Sequence, residues 1–157
     1  MKKSLVLEKE AQIFENLKAQ LKENGKETFI TDGIICFDEY KKSFPKILWI
    51  NKEVNSEDED ESWDLREALF NLEENGKVKL GWEKTFDPII YIIFGIMNRA
   101  NYDDIPFTRQ DPSIIQNLQK IAYINLKKTP GISVAKKNEL TDFHFNYSDT
   151  LESQIRL

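Results

Sequence analysis

"ILWINKEVN", residues 47–55, decides how this chain is read. Its first half is apolar and follows Pro45; its second half runs Asn51, Lys52, Glu53, Val54, Asn55. A short apolar run with a sharp polar end is the pattern of a strand covered on both faces, as in a parallel sheet. "IAYIN", residues 121–125, repeats the pattern and breaks into "NLKKTPG". In open α/β sheets, ligands bind in the crevice outside the carboxyl ends of the strands. Two strands that end in polar chemistry therefore point to a site at those ends.

Working outward, helical patterns surround both strands. Leu7, Ala11, Phe14, Leu17 and Leu21 predict an amphipathic helix over residues 4–23, stopped by Asn24-Gly25. "SWDLREALFNLEENG" predicts a second helix, capped by Ser62 and ended by Asn75-Gly76. Asp87-Pro88 is expected to open a central helix through "IIYIIFGIM" (residues 89–97), and Asp111-Pro112 a short one. A last helix is expected over residues 148–156. "FITDGIICFDEY" (residues 29–40) is β-like, either a tight hairpin or an extended lead-in. The "SEDEDES" stretch is expected to be a solvated loop.

Strands alternating with helices give the fold expectation: one α/β domain over residues 1–157, a small parallel sheet with helices on both faces. Two central strands do not make a stable sheet alone. The expectation therefore includes an incomplete sandwich, or a sheet edge that a partner or a second copy of the chain completes.

Bulk properties narrow the function classes. Net charge is −5 and the sequence pI about 5.1. Duplex binders usually carry a basic face, so the balance argues against a DNA-coating role while leaving a local basic groove open. The only cysteine is Cys36, so no intrachain disulfide or cysteine-based metal site is possible, which fits a reducing, cytoplasmic setting. The longest apolar run is too short to span a bilayer, and the start lacks the apolar core of a signal peptide, so no membrane partner is expected. His144 is the only histidine and has no partner at metal spacing. No metal and no cofactor are expected; no Gly-rich phosphate loop, nucleophile elbow or dinucleotide fingerprint is present.

The strand ends carry the candidate chemistry. Glu53 at the end of a buried strand suits a base acting on water; the plainer reading is a turn cap or an ion pair with Lys52. Asn125 presents a donor and an acceptor side by side, which suits reading a nucleobase edge, or it is a structural amide serving a loop. Lys127 and Lys128 suit a phosphate, or they are a solvated pair. Trp63 is a stacking platform or a core anchor.

These residues bear a likeness. "TDGIICFDEYKKSFPKILWINKEVNSEDEDESWDLREAL" resembles the first half of proteins in the uracil-DNA glycosylase superfamily, and "IAYINLKKTPG" resembles that superfamily's second motif. The likeness spans residues 29–131. It implies an α/β/α sandwich and cleavage of the N-glycosidic bond of a flipped-out DNA base. It implies that Glu53 orients water, Asn125 binds the base, Trp63 stacks on it, and Lys127 or Lys128 holds phosphate. The family usually has glycine where this chain has Asn51, so Asn51 would border and narrow the base pocket. The family's last motif, a histidine after a further strand, has no counterpart here, and His144 lies too early to match it. The resemblance thus implies a member lacking its C-terminal strands, and leaves open whether it hydrolyses or only binds a nucleotide or a protein partner in the same strand-end crevice.

Overall fold

The computed structural model describes residues 3–54, 61–131 and 137–157. The chain is a small α/β fold with helices around a little sheet. Its elements are α1 (Lys3–Glu23), β1 (Ile30–Thr31), β2 (Gly33–Ile34), α2 (Phe37–Lys42), β3 (Leu48–Asn51), β4 (Trp63–Asp64), α3 (Leu65–Phe70), β5 (Glu73–Glu74), β6 (Lys77–Val78), α4 (Glu83–Asn98), β7 (Ala122–Asn125) and α5 (Lys137–Ile155). Two 3-10 helices, Tyr102–Asp104 and Pro112–Lys120, precede β7. The central sheet has the order β2-β7-β3.

By contacts the chain forms two compact units. The first holds residues 1–33, 50–65 and 124–157. Here α1 packs on α5 through Phe14, Leu17, Leu21, Phe143 and Tyr147, with Phe29 against the cluster. The buried stripe of α1 is Val6, Glu10, Phe14, Leu17 and Leu21 rather than the Leu7 and Ala11 register, and Leu7 is exposed. Both registers have helical spacing. The buried register includes Glu10, whose carboxylate reaches a polar cluster described below. Helix α5 is longer than the expected 148–156 and kinks at Tyr147, whose φ of −129° and ψ of 21° are not helical. Strands β1 and β4 pair in parallel, Ile30 beside Trp63. Ser62 is not a helix cap: its hydroxyl accepts from the Phe29 N–H, and helix α3 begins only at Leu65.

In this unit the Leu126 N–H bonds to the Asn51 carbonyl and the Lys127 N–H to the Lys52 carbonyl. The partners advance together, which is the parallel sense expected of the two polar strand ends. The Ile30 N–H bonds to the Lys128 carbonyl.

The second unit holds residues 34–49 and 66–123. The Ala122 N–H bonds to the Ile47 carbonyl and the Ile35 N–H to the Ile121 carbonyl. All four residues of β7 are buried, as the sequence implied. The β3 expectation needs correction: Leu48 and Ile50 are 37 % and 48 % exposed, because β3 ends the strand order and one face is uncovered.

Helix α4 starts at Glu83, a turn before Asp87, so Pro88 lies inside it rather than opening it. Its buried residues, Phe86, Ile89, Ile90 and Ile93, pack against the Pro112–Lys120 helix. Asp111 caps that helix through the Ser113 N–H at 3.1 Å, as the Asp-Pro signal implied. Asn75-Gly76 does not end a helix; with φ of 53° and 75° these residues form the turn of the β5–β6 hairpin. Both positive φ values are what a two-residue hairpin turn demands, and Asn-Gly supplies them. Residues 55–60, most of the expected acidic loop, lie outside the described residues.

Candidate functional site

The site lies in the first unit, where the chain leaves β7 as "NLKKTPG". Beyond β7 the chain bends at Leu126 and again at Thr129. The two adjacent lysines enter two different polar clusters. Both are buried, which the solvated-pair reading did not foresee.

Lys127 turns toward the end of β3. Its ammonium donates to Glu53 Oε2 at 2.6 Å, to Glu139 Oε2 at 3.1 Å and to the Pro130 carbonyl at 3.3 Å. The Glu53 side chain is 5 % exposed and Glu139 46 %. Burial disfavours the charge on Lys127, but its two carboxylate partners outweigh that and raise its pKa above the ordinary lysine value. Gly131 is part of this arrangement: a Cβ placed there would overlap the Glu53 carboxyl group. Only glycine lets the backbone approach the carboxylate this closely.

Lys128 turns to the other side. Its ammonium donates to both oxygens of Asp32, at 2.6 and 2.8 Å, and to Gln154 Oε1 at 2.7 Å. Gln154 Nε2 donates back to Asp32 Oδ1 at 2.8 Å and to the Asp32 carbonyl at 3.2 Å. Asp32 Oδ2 also accepts from the Asn125 backbone N–H at 2.7 Å and from Asn125 Nδ2 at 3.3 Å. Burial pushes the pKa of Lys128 down, opposed by the charges of Asp32 and Glu10. A Cβ on Gly33, whose φ is +132°, would strike the Glu10 carboxylate, so Glu10 approaches along a glycine gap.

Two buried oxygens have no hydrogen-bond partner among the described residues: Asn125 Oδ1 and Thr129 Oγ1. Beside Thr129 opens a cleft of about 660 Å³, bordered by Lys127, Thr129, Pro130, Glu139 and residues 25–28. Its lining carries both charge signs and two threonine hydroxyls.

The six residues singled out by sequence all fall in this unit. Glu53 and Lys127 are brought into contact, and Asn125 and Lys128 are joined through Asp32. Glu53 and Asn125 are not bonded to each other; each has its own cluster. Asn51 lends its carbonyl to the Leu126 N–H. Trp63 is half-buried on β4, beside Ile30 of β1. Lys128 has its ammonium wholly turned to Asp32 and Gln154, away from any phosphate role in this arrangement.

Sequence reading missed Asp32, Gln154, Glu139 and Glu10. Asp32 stands in an Asp-Gly pair and was legible only as a turn residue. Gln154, Glu139 and Glu10 sit on helices among ordinary surface charges, with no local signal. Among the described residues, no group of three or more His, Cys, Asp or Glu side chains is placed to hold a metal ion, and His144 is exposed on α5. Among the same residues, no helix is long and apolar enough to cross a membrane. No family model, no curated protein and no solved structure matches the chain.

Proposed function

We propose that the strand-end crevice of the first unit binds a nucleic-acid base, and that the chain is a uracil-DNA-glycosylase-like hydrolase of an N-glycosidic bond. The observation that supports this reading best is the unpartnered Asn125 side-chain oxygen at the end of β7. Leaving such an atom buried without a partner costs about 1–3 kcal/mol. Buried side-chain oxygens in native folds are normally hydrogen-bonded, and Asn125 Oδ1 retains its acceptor capacity.

In this reading Asn125 hydrogen-bonds the polar edge of the base and Trp63 offers a face for stacking, with Asn51 at the pocket border. Glu53 orients a water molecule. The water oxygen bonds to the sugar anomeric carbon as the carbon–nitrogen bond breaks. The bonding electrons leave with the base, and the water proton passes to solvent or to the base nitrogen. Lys127, which borders the cleft, would meet a phosphate only by releasing one of its carboxylate partners.

A second reading, base binding without hydrolysis, is favoured by the Glu53–Lys127 pair. A carboxylate 5 % exposed and 2.6 Å from an ammonium is poorly placed to take a proton from water. One experiment separates the two. Single-stranded DNA with one uracil is incubated with the protein, and abasic sites are revealed by alkaline cleavage. The hydrolase reading expects cleavage, slowed at least about 100-fold in Glu53→Gln. Binding of the strand without abasic sites selects the second reading. Neither binding nor cleavage ends both. Cleavage that survives Glu53→Gln unchanged removes Glu53 from the reaction.

A further inference from the structure

We propose that a lysine-lined groove beside the end of α1 binds the phosphate backbone of single-stranded nucleic acid without reading its sequence. Its three lysines, Lys18, Lys22 and Lys26, precede the stretch that carries the family likeness. The inference does not rest on the base-binding reading above.

Helical spacing makes the groove. Lys18 and Lys22 are four residues apart, so they share one face of α1, about 6 Å from each other along its axis. The helix then ends in a left-handed turn at Gly25, whose φ is 70°. The Lys26 N–H returns to the Leu21 carbonyl at 2.9 Å, and the Gly25 N–H to the Lys22 carbonyl at 3.0 Å. This turn does two things. It brings Lys26 back to the cleft that Lys18 and Lys22 line. It also satisfies carbonyls at the helix end, which would otherwise turn partial negative charge toward an anion.

The cleft measures about 300 Å³, and Glu27 and Phe29 line it as well. Three ammonium groups stand there against one carboxylate. All three lysines are exposed, and none forms an ion pair among the described residues. The Lys18 ammonium lies 5.8 Å from the centre of the Phe29 ring, which is backed by the buried cluster between α1 and α5. Positive groups in a row beside an aromatic wall are what holds a single strand: charge follows the backbone, and a ring takes the face of any base.

The groove has an inner end. Lys26, Glu27 and Thr28 also border the 660 Å³ cleft, so the two clefts adjoin. Thr129 borders the larger one; it is 6 % exposed, and its hydroxyl has no partner among the described residues. A phosphate oxygen at this end would give that hydroxyl an acceptor. Lys127 is already engaged by Glu53 and Glu139, which leaves the α1 lysines to meet the strand. On a chain of net charge −5, positive charge confined to one groove suits a single strand more than the broad charged surface of a duplex.

The test is fluorescence anisotropy with a labelled oligothymidylate of about twelve nucleotides, which contains no uracil. Wild type is expected to bind it, with affinity falling as salt rises from about 50 to about 200 mM. Lys18→Gln/Lys22→Gln/Lys26→Gln should lose at least about tenfold at low salt. Its log–log salt slope should shrink by about 2, from about 0.7 for each phosphate no longer neutralised. Lys9→Gln/Lys77→Gln/Lys84→Gln removes the same charge from exposed lysines elsewhere and should bind almost as wild type does. Thr129→Val should weaken binding without lowering the thermal midpoint, because its hydroxyl has no partner to lose.

Failure of wild type to bind oligothymidylate overturns the groove, while cleavage of the uracil strand would still decide the base-binding reading on its own. Equal losses in the two triple variants reduce the effect to net charge and overturn it too. A duplex bound as tightly as the single strand overturns the choice of partner. Unchanged binding by Thr129→Val removes the inner end.

Discussion

The Lys127 ammonium lies 2.6 Å from Glu53 Oε2, and both side chains are 5 % exposed. This contact ties the end of β3 to the chain leaving β7, residues 74 apart in sequence. Two charges taken out of water are stable together and unstable apart, because each loses hydration that only its partner replaces.

Lys127→Met is therefore expected to destabilise the protein by about 3 kcal/mol, the cost of an uncompensated buried carboxylate. The double variant Lys127→Met/Glu53→Gln should recover most of that loss. Urea unfolding of the four proteins checks it, with the coupling read from the cycle. Additive single losses would show that the pair does not act as a unit.

The two lysines respond to pH with opposite signs. The pKa of Lys127 is raised in the folded protein, since Glu53 and Glu139 outweigh the effect of burial. Its contribution is complete below the unfolded lysine value of about 10.4 and disappears as pH climbs through the higher folded value. The stability gap between wild type and Lys127→Met should thus stay flat up to about pH 10 and shrink only above it. Lys128 is lowered by burial. Between its folded value and about 10.4 the unfolded chain binds the extra proton, so raising pH there favours folding. The gap between wild type and Lys128→Met should shift in favour of wild type as pH rises through that window. Urea midpoints across the alkaline range distinguish the signs, and parallel behaviour of the two variants would contradict one of the two assignments.

The fold was legible where the signal was one-dimensional. "IAYIN" is apolar without alternation and is buried on both faces, and Asp111-Pro112 caps a helix as written. "ILWI" is just as apolar but lies at the end of the strand order, and position in a sheet is not encoded in the strand itself. Asn75-Gly76 stops a helix and turns a hairpin with the same positive φ values, so the pair alone could not say which. At the site, Glu53, Asn125 and Lys127 were visible because polar residues at the end of an apolar run are unusual. Asp32 and Gln154 were not, since their meaning comes from partners 93 to 122 residues away.

The hairpin gives a local test. Asn75 and Gly76 both hold positive φ, at 53° and 75°, and Glu73 accepts the Gly76 N–H at 2.8 Å. Gly76→Val places a β-branched side chain in the left-handed region and is expected to cost about 1–2 kcal/mol. Asn75→Gly, which relaxes the same constraint, should change stability by less than about 0.5 kcal/mol. Thermal unfolding of the two variants compares them, and equal losses would argue against a turn set by φ.

Gly131 offers the sharpest check on the site itself, because it is coupled to Glu53 by space instead of by charge. A methyl group on Gly131 overlaps the carboxyl group of Glu53, which is held in place by Lys127. Gly131→Ala must push that carboxylate aside or move the backbone, and overpacking of this kind costs about 1–3 kcal/mol. Shortening the opposing side chain makes room. Gly131→Ala should therefore be much less harmful in a Glu53→Ala background than in wild type, even though Glu53→Ala alone leaves Lys127 with one carboxylate fewer. Urea unfolding of wild type, the two single variants and the double variant checks this, and an equal loss on Gly131→Ala in both backgrounds would argue against the overlap.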